Sequence, residues 1–82
     1  MTTIADRRAR FRALHHSGCF AIPNPWDGGT AQRLAAHGFK ALASTSAGAA
    51  WALGRADGEM DVDEVFANQS SIAAAVVEIS QL

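Results

Sequence analysis

The apolar positions of this chain keep two different rhythms, and each switch between them marks the edge of an element. Ile4, Phe11 and Leu14 recur at helical spacing, which predicts a helix from Thr2 or Thr3 to about His16. Thr3 is placed to cap it, with Asp6 three positions on in the manner of a capping box, and Gly18 supplies a stop. From Cys19 to Ile22 the rhythm gives way to an unbroken apolar run that Pro23 closes. Such a run predicts a strand buried on both faces, as parallel strands are. Pro23-Asn24-Pro25-Trp26-Asp27-Gly28-Gly29, with two prolines and two glycines, must then be a constrained loop.

A second helix follows, capped by Asp27, with Ala31, Leu34 and Ala35 on one face and Gly38 at its end. Phe39 to Ala43 is the second predicted strand, and Ser44 to Gly58 reads as loop with one helical turn around Trp51. The last helix has the clearest rhythm. Asp61 and Glu64 form another capping box, and Val62, Val65, Phe66, Gln69, Ile72, Ala73, Val76 and Ile79 fall on one face. Gln69 is the only polar member of that face. Helix, strand, helix, strand, helix is the order of parallel βαβ construction. The two strands are therefore expected to be parallel neighbours, with the helix from Asp27 to His37 crossing between them.

Composition narrows the partners. The 82 residues suffice for one small domain, and no linker or repeat divides them. A net charge of −1 argues against the strongly basic face of a nucleic-acid binder. No apolar run approaches the roughly 20 residues of a membrane span. Arg7, Arg8, Arg10 and Arg12 faintly resemble a transit peptide, but a solvated helix face explains them. Cys19, the single cysteine, permits no internal disulfide and no cysteine-based zinc site, which fits a reduced, cytoplasmic setting. Its neighbours Phe20, Ala21 and Ile22 predict that it is a buried small hydrophobe.

In order, these pieces resemble the opening segment of the isocitrate lyase/phosphoenolpyruvate mutase family. Phe20 to Ala31 resembles its first strand and loop, Gly38-Phe39 with Lys40-Ala41-Leu42-Ala43 its second strand, and Ser44 to Gly48 its small-residue substrate loop. Leu53-Gly54-Arg55-Ala56-Asp57-Gly58 is similar to the family's Leu-Gly-x-x-Asp signature, and Asp61 to Val65 to the start of its next helix. The resemblance implies an α/β fold: an N-terminal helix and the first two βα units of a (β/α)8 barrel, truncated to a single partial domain over residues 1–82. It implies a metal-dependent lyase or phosphonomutase acting beside the carbonyl of a small 2-oxo acid, with Mg²⁺ as cofactor and a small carboxylate as substrate. A homo-oligomer is expected.

On this resemblance Trp26, Thr45, Ser46 and Ala47 face the substrate, Asp27 lies in the same loop region, and Asp57 lies near the metal without necessarily binding it. Each residue also has a plainer explanation. Asp57-Gly58 is a common turn pair, Asp27 is a helix cap, Trp26 can pack over the barrel end, and the hydroxyls of Thr45 and Ser46 can close a turn. His15, His16 and His37 sit at helix ends. Two departures stand out: Ala43 replaces an aromatic that touches substrate, and Thr45-Ser46-Ala47 replaces a Ser-Gly-Gly-like triplet. The family's third strand, which bears the acidic metal ligands, is not expected after Asn68. An inactive remnant or small self-associating module is therefore the alternative to an enzyme.

Overall fold

The computed structural model describes residues 2–76 and 79–81. Its elements are α1 (Ile4–Ala13), α2 (Gly28–Ala36), β1 (Ala41–Leu42), α3 (Ser46–Ala52), α4 (Val62–Ala75) and β2 (Ser80–Gln81). This is an α/β arrangement of four helices about a short parallel sheet. The helices begin where capping chemistry places them. Thr3 and Asp6 exchange reciprocal bonds at 3.0 and 3.1 Å, and Asp61 and Glu64 do so at 2.8 and 3.1 Å.

The core is small. Ala31 of α2, Leu42 of β1, Ile72 of α4 and Val76 just past its end are buried together, with Leu34, Phe39 and Ile79 packed against them. The α2–α4 contact is close because Gly28 has no side chain: a Cβ there would lie 2.8 Å from the backbone carbonyl oxygen of Ser71. At the other end of the fold, α1 lies against β2. The rings of Phe11, His15 and Phe20 meet edge to face and tie α1 to the segment after it. No helix among the described residues is long and apolar enough to cross a membrane.

Several expectations change. Cys19–Ile22 forms no strand, and Cys19 is exposed rather than buried. Prolines keep the segment just after this run from completing a ladder with β1. The Ala43 N–H donates to the Pro23 carbonyl at 3.0 Å, so that carbonyl points at the end of β1. In an extended chain alternate residues point the same way, so Pro23 and Pro25 occupy the positions that would have to donate to β1. The Asn24 side chain supplies a substitute, its Nδ2 donating to the Ala43 carbonyl at 2.9 Å.

The strand expected from Phe39 to Ala43 is reduced to Ala41–Leu42, and its ladder partner is β2, in parallel register with Ala41 opposite Ser80 and Leu42 opposite Gln81. The crossover between paired strands therefore holds α3 and α4, not α2. A strand does follow the last helix, contrary to expectation. Helix α4 stops at Ala75 because Val76, at φ −133°, leaves the helical conformation while keeping its side chain in the core. The continuing apolar rhythm through Val76 and Ile79 belongs to the turn into β2. Residues 77 and 78, also placed on that helix, lie outside the described residues.

Candidate functional site

The chain leaves β1 through Ala43 and Ser44 and enters α3, where a loop with one turn around Trp51 was expected. Thr45 is the N-cap, its Oγ1 accepting the Gly48 N–H at 3.0 Å. Gly48 is needed here. A Cβ at this position would come within 2.6 Å of Thr45 Cγ2 and 3.2 Å of the Trp26 Cβ. The first-turn N–H groups of Ser46 and Ala47 have no acceptor within the helix.

The loop from Pro23 to Asp27 is fastened on both sides. Pro25 is fully buried, and Asn68 of α4 donates through Nδ2 to the Trp26 carbonyl at 2.7 Å. Trp26 itself is 44% exposed. Asp27 caps α2, accepting the Thr30 N–H at 2.8 Å, and the backbone and side-chain bonds from Thr30 hold its carboxyl below the ordinary value of 3.8.

Beyond the C-terminal end of β1, Ser44, Ser46 and Asp57 line one groove of about 410 Å³. Its remaining polar wall is Asn68 and Gln69, and its apolar wall includes Ala49, Met60 and Val65. The Ser44 hydroxyl donates to Gln69 Oε1 at 3.1 Å, which explains the one polar member of the α4 stripe. Among the described residues Asp57 is the only charged one lining this groove. Trp26 and Asp27 line a neighbouring groove of about 410 Å³, and both grooves share Ala49, Met60 and Asn68. Thr45 and Ala47 line neither. A third, broader groove of about 530 Å³ runs along α2 past Trp26, Arg33 and His37.

Asp57 reaches its groove on a turn between α3 and α4. The Arg55 guanidinium pairs with Glu64, which drops the Glu64 carboxyl below its ordinary 4.5, the Asp61 backbone bond adding to the effect. Among the described residues no three His, Cys, Asp or Glu side chains converge as metal ligands. Asp57 stands apart from any second carboxylate in its groove, so these residues do not by themselves fit Mg²⁺.

A parallel strand that runs out into small hydroxyl residues, with Asp57 lining the same groove, gives this chain an α/β architecture. The chain matches the phosphoenolpyruvate phosphomutase family over residues 11–79 and belongs to it. It is also similar to a solved protein of Burkholderia cenocepacia J2315 assigned as a lyase/mutase, with 45% identity and a TM-score of 0.82. That likeness covers 94% of this chain and 28% of the other, so this chain spans just over a quarter of its relative's length. No curated protein matches it.

Asn68 and Gln69 are groove residues to which sequence reasoning gave no site role, and Ser44 entered only as part of the Ser44–Gly48 loop. Gln69 carried a signal, as a polar residue on an otherwise apolar helical face. Asn68, outside that stripe, carried none.

Proposed function

We propose that this chain is the opening section of a (β/α)8 barrel in a metal-dependent enzyme that makes or breaks the bond beside the carbonyl of a small 2-oxo acid, or performs the related phosphonomutase chemistry. The observation that carries the reading is the shared groove of Ser44, Ser46 and Asp57 past the end of β1. On this reading Ser46 offers its hydroxyl, and Ser46 and Ala47 their backbone N–H groups, to a substrate carboxylate. Thr45, whose Oγ1 accepts the Gly48 N–H, holds that turn in place beside the substrate. Trp26 flanks the entrance, and Asp27 acts as a cap.

Among the described residues no cation lines the groove beside Asp57, so a bound carboxylate there calls for a counter-cation. Mg²⁺ is the one the family reading implies. The described residues contribute at most Asp57 toward it, indirectly, and no reaction step is derived through it. Exposure of Trp51 at 67%, Val62 at 68% and Phe66 at 66% supports a further part of the proposal, association of the chain as a homo-oligomer.

Grafting the chain in place of the matching segment of the Burkholderia protein tests the reading. With Mg²⁺, the graft is expected to release a 2-oxo acid from a methylisocitrate-type substrate or to interconvert phosphoenolpyruvate and phosphonopyruvate. Asp57→Asn should then lower turnover about tenfold or more while the graft stays folded. A folded graft that is inert on both substrates, where the parent is active, overturns the proposal.

A further inference from the structure

We infer that Arg55 is a positioning residue: its ion pair with Glu64 latches the turn that carries Asp57 to the start of α4, and so fixes Asp57 as a wall of the groove beyond β1. The inference rests on the proposed site only for what Asp57 is held there to do.

The turn has few anchors of its own. Gly54 at φ +75° and Gly58 at φ +90° bracket it, both in the left-handed region where glycine bends the chain without strain. Ala56 and Glu59 close it locally, the Ala56 N–H donating to Glu59 Oε2 at 3.1 Å and the Glu59 N–H to the Ala56 carbonyl at 3.1 Å. Neither bond ties the turn to the rest of the fold. Among the described residues the Asp57 carboxylate makes no hydrogen bond, so its position depends on its neighbours.

Arg55 supplies the tie in two directions. Its N–H donates to the Ala50 carbonyl at 3.0 Å, which holds it to α3. Its guanidinium reaches Glu64, and Glu64 is itself immobilised in the capping box of α4, with Oε1 also accepting the Asp61 N–H at 3.1 Å. Glu59 and Asp61 add their fields at Arg55. Asp57, Glu59, Asp61, Asp63 and Glu64 would otherwise crowd five carboxylates along eight residues with no basic side chain among them. Loss of Arg55 therefore removes both the tether and the charge that holds this acidic lip together.

Amide hydrogen exchange on the 82-residue chain tests the latch, with Arg55→Gln, Glu64→Gln, their double variant and Arg55→Lys. Glutamine at position 64 can still serve the capping box, so Glu64→Gln removes the ion pair without uncapping α4. Either single change should speed exchange of the amides from Ala56 to Glu59 about two- to fivefold, the range of a partly exposed ion pair. The double variant should exchange no faster than the singles, and Arg55→Lys should stay near the wild type. High salt should speed these amides in the wild type but not in the double variant. Additive effects in the double, unchanged turn amides, or equal acceleration at Leu42 and Ile72 would each overturn the latch. These readouts need no substrate, so an inert graft would defeat the proposed function and leave the latch standing.

Discussion

Asn24 shows how one side chain can stand in for missing backbone. Pro23 and Pro25 take away the donors that would bind the segment after the first apolar run to the end of β1, and the Asn24 amide restores one bond at Ala43. Asn24→Ala should therefore cost about 1 kcal/mol in urea unfolding, the usual net value of one hydrogen bond. Asp27 can be divided the same way. Asn caps a helix about as well as Asp, so Asp27→Asn should hold stability while Asp27→Ala loses about 1 kcal/mol. The adjacent glycines should also part company. Gly28→Ala drives a methyl to 2.8 Å from the Ser71 carbonyl oxygen and should cost about 1–3 kcal/mol by unfolding. Gly29→Ala meets nothing closer than 3.8 Å and should be neutral or slightly stabilising.

At the scale of elements, the caps respond to acid. The carboxyls of Asp6 and Asp27 lie below their ordinary 3.8, chiefly through backbone bonds, and that of Glu64 below 4.5 through Arg55. Each binds its proton more weakly folded than unfolded, so its stabilisation is complete above the ordinary value and lost as pH falls through the lower folded one. The urea midpoint should be flat above about pH 5 and fall as acid titrates these groups. A midpoint that rose on acidification would contradict the assignment.

Capping was the most legible feature of the chain, because Thr3–Asp6 and Asp61–Glu64 are local signals that tertiary contacts do not disturb. Helix α3 was not legible as a helix. Ser-Ala-Gly-Ala-Ala-Trp-Ala has too few large apolar residues to show a stripe, although Thr45 before it was an available cap signal. The end of α4 misled for the opposite reason, since Val76 and Ile79 keep the helical rhythm while the chain turns toward β2. The Cys19–Ile22 run looked like a strand because apolar content does not report whether a segment finds a ladder partner. In the site, the Ser46–Asp57 juxtaposition was foreshadowed by ordered motifs, whereas the walls supplied by Ser44, Asn68 and Gln69 depend on the packing of α4.

For the molecule as a whole, the core is slender. Ile72 is fully buried between α2 and β1, and Ile72→Ala should cost about 2–5 kcal/mol. Small domains have only about 5–15 kcal/mol to lose, so thermal scans of this variant should show a greatly lowered midpoint or no folded baseline. On the proposed function small 2-oxo acids are held past the end of β1 rather than along α2, where Arg33 and His37 offer a rival groove. Amide chemical-shift mapping of the chain during titration with pyruvate in the presence of Mg²⁺ separates the two directly. The account predicts that shifts concentrate on Ser44, Ser46, Ala47, Asp57 and Gln69. Shifts centred on Thr30 to His37, or none at high millimolar pyruvate, would contradict it.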